Sequence, residues 1–136
     1  MKQIRTHQDI DESLSGRVKE LADGRCSVEF EASPSMRADA TGLVHGGFLF
    51  GAADYAAMLA VNEPTVVLTS ATVQFMKPCC VGQRVEVHAK VIGEHPRKPV
   101  VQAVALDSSG AEIFRGTFNC AVLSRHVLAP ETAGEE

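Results

Sequence analysis

The chain has 136 residues, 45% of them hydrophobic, and a formal net charge of −4. That length fits one ordinary domain, and that apolar share is enough to bury a continuous core without cross-links. The mild acidity and the lack of a long basic run argue against nucleic acid or an anionic membrane as partner. Cys26, Cys79, Cys80 and Cys120 do not fall at zinc-ligand spacings, so they read as reduced, mostly structural thiols, and no metal is expected. Met1 to Ser15 carries Asp9, Asp11 and Glu12 and lacks the apolar stretch of a signal peptide, and no later run is long enough to span a bilayer; the expected location is cytoplasmic.

From Asp9 to Leu21, Ile10, Leu14, Val18 and Leu21 recur at roughly helical spacing, interrupted by Gly16, which predicts a short helix and a helical segment over 1–24. Arg25 to Ala32 alternates, with Cys26, Val28, Phe30 and Ala32 on one face, as a half-buried strand does. Ser33 to Thr41 reads as a loop broken by Pro34. Gly46 to Asn62 then has almost no polar face and is rich in small residues, the pattern of a buried helix that lets its backbone lie close to a neighbour. Pro64 enforces its end.

Four β-type runs follow: Thr65 to Lys77, Gln83 to Ile92, Pro99 to Asp107 and Ala111 to Ser124. Short breaks at Pro78 to Gly82, Gly93 to Lys98 and Ser108 to Gly110 predict consecutive hairpins in an antiparallel sheet. A helix apolar all round requires the sheet to curl about it, or a second subunit to cover what remains. The main domain is therefore expected over 25–128, with a solvated tail over 129–136.

Asp54 is the one ionisable carboxyl inside the apolar helix, too deep to be an N-cap. It either hydrogen-bonds locally at a helix edge or serves chemistry, and burying an unpaired carboxylate costs several kcal/mol, roughly, which favours chemistry. His45-Gly46-Gly47 leads straight into the same helix. Two glycines leave the first amides uncovered at the positive end of the dipole, which suits a carbonyl oxygen gaining negative charge; a plain turn with a hydrogen-bonded histidine is the bland alternative. A helix rises about 1.5 Å per residue, so these glycines and Asp54 stand roughly 11 Å apart. One helix cannot bring both to one atom, so if both act on one substrate, Asp54 must come from the opposing helix of a second subunit, in a two-fold dimer with two shared sites.

These residues resemble the hotdog-fold thioesterases, specifically the PaaI-like (phenylacetic acid degradation) branch, over about Cys26 to Val122. The resemblance rests on His45-Gly46-Gly47-Phe48-Leu49-Phe50-Gly51-Ala52-Ala53-Asp54, on Gln74-Phe75-Met76-Lys77-Pro78 and on Phe114-Arg115-Gly116. It implies an α+β hotdog fold, an antiparallel sheet wrapped around one long central helix, paired as dimers and often assembled into tetramers. It also implies that Asp54 is general base or nucleophile, that an amide of Gly46 or Gly47 polarises a thioester carbonyl, and that His45 supports the turn. A hydroxyl near the start of the next strand, Thr69 or Ser70, would help hold the attacking water. One departure is Asp39, where relatives usually carry Asn: an ionised Asp can only accept hydrogen bonds, so it either shares a proton with Asp54 or faces solvent.

The expected reaction is hydrolysis of a small or medium acyl- or aryl-CoA, with CoA as part of the substrate and no cofactor. Asp54 acts on water, or attacks directly to give a mixed anhydride. Arg97-Lys98 either meets the CoA phosphates or is an ordinary solvated turn. Phe48, Phe50 and Met58 are expected beside the acyl group. The rival readings are an acyl-CoA sensor that does not turn over, and a hydratase or dehydratase, for which no histidine is well placed.

Overall fold

The computed structural model describes residues 1–93 and 95–130. Its elements are α1 (Glu12–Ser15), β1 (Arg17–Ala22), β2 (Arg25–Glu31), a 3-10 turn (Pro34–Met36), α2 (Gly46–Val61), β3 (Val66–Phe75), β4 (Arg84–Gly93), β5 (Val100–Leu106) and β6 (Glu112–Val122). The six strands found among the described residues form one antiparallel sheet in the order β1-β2-β4-β5-β6-β3. The sheet wraps α2, and every strand touches the helix. This is the hotdog fold.

Alternation builds the inner wall. Cys26, Val28 and Phe30 on β2 stand beside Ala89, Val87 and Val85 on β4, and all six side chains are buried. Phe114 and Phe118 continue that wall on β6. Nine residues of α2 are buried within the single chain. The helix ends at Asn62, which takes a left-handed conformation (φ 53) while its amide donates to the Met58 carbonyl at 2.8 Å. The Asn62 side chain also ties down the N-terminal segment, accepting from the Arg5 amide at 2.8 Å and donating to the Gln3 carbonyl at 2.9 Å.

Two expectations are corrected. The helix expected over Asp9 to Leu21 is only the single turn α1; Arg17–Ala22 is a strand, so residues 1–24 are no separate helical segment. The register of β1 against β2 shifts between Val18 and Glu20, so Val18 lies opposite Val28 and Leu21 opposite Cys26. Such a bulge puts residues three apart on the same inner face, which imitates helical spacing. The second correction concerns pairing: β3 does not form a hairpin with β4 but lies at the far edge beside β6. The connection between them is stitched to the chain ahead of α2, Val44 N to Cys79 O at 2.8 Å and Val81 N to Gly42 O at 2.9 Å, and so cannot close a tight turn. Of the expected tail, residues 131–136 lie outside those described.

The break between α1 and β1 rests on Gly16, at φ 90. A Cβ there would stand 2.5 Å from Val28 Cγ1 and 2.9 Å from the Glu29 carbonyl oxygen, so both conformation and space exclude a side chain. Gly16→Val is expected to destabilise the fold by about 2–4 kcal/mol. Urea unfolding checks this, and an unmoved midpoint would contradict it.

Candidate active site

The sheet leaves one stripe of α2 partly uncovered: Gly47, Phe50, Gly51, Asp54 and Val61, spaced by three, four and seven residues along one face. A Cβ added at Gly51 would meet nothing within 4 Å. Asp54 sits in the middle of this stripe. Its side chain is only partly covered, but Oδ1 is sealed from solvent and has no hydrogen-bond partner among the described residues. Burial pushes the carboxyl pKa up to about 6. The buried Cys120 thiol on β6 lies close enough to feel it, and is pushed up to about 11 by its own burial and then by the Asp54 charge.

His45 is the residue before the first turn of α2, with φ −63 and ψ 128, and its side chain does not cap the helix. Its amide donates to the Met36 carbonyl at 2.9 Å, and its own carbonyl accepts from Phe48 N at 3.1 Å. The imidazole stands edge-on to Phe48, ring centroids 6.1 Å apart. The ring also lies over Gly47, where an added Cβ would come within 3.0 Å of Nε2. Gly46 is covered by the Phe75 ring, with an added Cβ 3.0 Å from Cε1. The turn is thus held between two aromatic rings, while the first amides of the helix have no partner within it. Beside it, Val44, Gly46, Leu49, Phe75, Met76 and Pro78 line a cavity of about 250 Å³.

The other expected residues are spread more widely. Asp39 is exposed; its Oδ1 accepts from the Thr41 hydroxyl at 2.5 Å and the Thr41 amide at 2.9 Å, which hold its pKa low, so in the single chain it closes its own loop. Thr69 is the extra residue of a bulge between Leu68 and Ser70, and its hydroxyl donates to the Asn119 carbonyl at 2.9 Å. The Ser70 hydroxyl accepts from Asn119 Nδ2 at 3.0 Å, in register with a residue that faces away from α2. Met58 is buried in the core, and Phe50 leans on Phe118 with centroids 5.5 Å apart. Phe48, Phe50 and Met58 are not the residues that line the cavity at the turn. Arg97 and Lys98 lie in another depression, at the end of β6. The contact of Phe75 with Gly46 was missed by sequence reasoning; its only signal was an aromatic residue ending a strand just before Pro78.

A larger hollow of about 370 Å³, lined by Arg25, Ser27, His88 and Gln102, opens on the outer face of the sheet, away from the helix and Asp54. Asp54 is not among the residues that line it. No cluster of three or more potential metal ligands occurs among the described residues. No helix among them is long and apolar enough to cross a membrane.

The family profile of the thioesterase superfamily matches residues 41–94, the stretch that holds the glycine turn and Asp54. A crystal structure of an uncharacterised protein from Pyrococcus horikoshii is 44% identical, with a TM-score of 0.92 over 94% of this chain and 98% of that one. A mutant of phenylacetic acid degradation protein PaaI from Thermus thermophilus is 29% identical, with a TM-score of 0.75 over 82% of this chain and 96% of that one. The chain is also 44% identical over 115 residues, 85% of its length, to methylthioribose-1-phosphate isomerase from Aquifex aeolicus, but it spans only 25% of that protein. The chain thus has the hotdog fold, and its stretch 41–94 is similar to the thioesterase superfamily.

The strained protonation of Asp54 has a thermodynamic signature. Because folding raises its pKa from 3.8 to about 6, the fold favours the protonated acid. The penalty is absent where both states hold the proton, grows as pH rises, and is complete above about 6. Asp54→Asn is therefore expected to leave stability unchanged below about pH 3 and to raise it by about 1–3 kcal/mol above neutrality. Urea unfolding of both proteins across that range is the check; a constant difference between them would contradict the assignment.

Proposed function

We propose that the protein hydrolyses a small or medium acyl- or aryl-CoA, in the manner of the PaaI-like branch, at two sites shared across a homodimer. The observation that carries this reading is the sealed, unpartnered Oδ1 of Asp54 on the uncovered stripe of α2. A lone buried carboxylate is unfavourable unless something else offsets its cost, and a base with a pKa near neutrality is suited to taking a proton from water.

The free edge of the sheet supports the shared site. β3 pairs with β6 on one side only, and Phe75 and Met76 at its end are 53% and 42% exposed. Such an edge is a template for another strand. Antiparallel pairing of two β3 strands about a two-fold axis sets the Phe75 end of one against the Val66 to Leu68 end of the other. Gly46 rests on Phe75, while Leu68 pairs with Cys120, whose thiol feels Asp54. The partner's glycine turn thereby comes to Asp54, and Gly51 leaves room for the helices to approach.

In this arrangement the thioester carbonyl accepts from the amides of the Gly46-Gly47 turn, with His45 and Phe75 holding the turn in shape. Asp54 of the other subunit takes a proton from water as the oxygen attacks the carbonyl carbon. The carbon–sulfur bond then breaks, giving a carboxylic acid, and the proton passes to the CoA thiolate. The developing oxyanion meets preorganised donors at the helix start, the largest single contribution in reactions of this kind. The cavity of about 250 Å³ beside the turn suits a small acyl or aryl group.

Thiol release from a panel of acyl-CoAs should rise with pH through about 6 and fall by about a thousandfold in Asp54→Asn. Acyl-CoA binding with no thiol release by the wild type would instead favour a sensor. A Gly46→Val subunit, disabled because its side chain meets the Phe75 ring, should regain activity when mixed with an Asp54→Asn subunit. Confirmed heterodimers without recovery would remove the shared site.

A further inference from the structure

The outer face of the sheet is polar, and two like-charged pairs stand in direct register across β2 and β4: Glu29 opposite Glu86, and Arg25 opposite Lys90. Like charges so placed destabilise the pairing of the strands unless a counter-charge is near. The acidic pair has its counter-charges. Arg17 lies 3.5 Å and Lys19 3.3 Å from the Glu29 carboxylate, and His88 lies 3.7 Å from that of Glu86. Two further cations of this face are matched in the same way, Arg84 to Glu31 at 3.6 Å and Arg115 to Glu112 at 2.6 Å. The basic pair is the exception: neither Arg25 nor Lys90 makes an ion pair or a side-chain hydrogen bond among the described residues.

Both of these cations line the hollow of about 370 Å³. The register brings neutral donors to the same place. Gln102 on β5 stands opposite Lys90, and Ser27, next on the same face of β2, stands opposite His88; Gln102 and Ser27 are half-buried and line the hollow too. Ala22 and Val104 give it an apolar patch. Glu20 is the only carboxylate among the described residues of its wall, and it forms no ion pair with either cation.

We propose that this hollow binds a small phosphate monoester, a ligand separate from any substrate at Asp54. At neutral pH a monoester carries close to two negative charges and three strong acceptor oxygens. Those charges match the two cations that the fold leaves uncompensated, and the oxygens accept from Arg25, Lys90, the Ser27 hydroxyl and the Gln102 carboxamide. The hollow is much larger than one phosphate group, so the organic part of the ester rests on Ala22 and Val104. The bound anion also removes the repulsion between Arg25 and Lys90, which couples occupancy of the hollow to the stability of the sheet. None of this depends on the hydrolase reading.

Calorimetric titration of the full-length protein with glycerol phosphate, inorganic phosphate and acetate, at fixed ionic strength near neutral pH, tests it. Glycerol phosphate should bind saturably, and Arg25→Gln and Lys90→Gln should each weaken it about tenfold. Inorganic phosphate should bind about threefold more weakly than the ester, and acetate more weakly still. Glu20→Gln, which takes the acid out of the wall, should tighten glycerol phosphate about threefold, and Asp54→Asn should leave it unchanged. Without ligand, Lys90→Gln should shift the urea midpoint upward, because a repulsion is lost; with saturating glycerol phosphate the wild type should be the more stable of the two. No saturable binding, an affinity indifferent to both cations, or acetate bound as tightly as the ester would overturn the proposal. So would a Lys90→Gln protein less stable than wild type without ligand. Inorganic phosphate bound more tightly than glycerol phosphate would overturn the assignment to a monoester.

Discussion

A single carboxyl group in apolar surroundings organises this molecule. Asp54 lies on a helix whose other residues are almost all apolar or small, and its Oδ1 meets neither water nor a donor among the described residues. Burial at such a site raises the free energy of the charged form, which is why its pKa stands near 6 rather than 3.8. The core around it gives no compensation: Ala53, Ala57 and Met58 are buried and apolar, and Cys120 is a buried thiol. A position that costs stability and contributes nothing to packing is the kind that function retains.

The rest of the fold follows from how the sheet is laid around that helix. The order β1-β2-β4-β5-β6-β3 covers most of α2 but leaves the stripe through Gly47, Gly51 and Asp54 partly open beside the free edge of β3. The glycine turn and the carboxyl stand roughly 11 Å apart along one helix, and Phe50 and Asp54 of the open stripe lie toward Phe118 and Cys120 on β6, the strand that pairs with the edge strand β3. Two incomplete surfaces so placed are of the kind that a two-fold axis completes.

Much of this was legible in the sequence because helices and strands leave different periods. The unbroken apolar run of α2 and the alternation of β2 and β4 marked those elements, and the isolation of Asp54 marked the buried carboxyl as the candidate site. β1 was hidden because its bulge moved Val18 and Leu21 onto one face at a spacing of three. Strand pairing was hidden for a different reason: alternation reports that a segment is a strand, not which neighbour it takes, so the position of β3 beside β6 had no local signal. The same limit applied to the site. Phe75 covering Gly46 and Cys120 beside Asp54 are contacts between residues far apart in the chain.

The central claim is that the Asp54 carboxyl titrates as a buried acid near neutrality. Labelling the aspartate side chains with ¹³C and following the Asp54 carboxyl resonance from acid to alkaline pH measures this directly. A midpoint near 6 is the result expected. A midpoint at the ordinary value of 3.8 would show a solvated carboxylate and contradict the account.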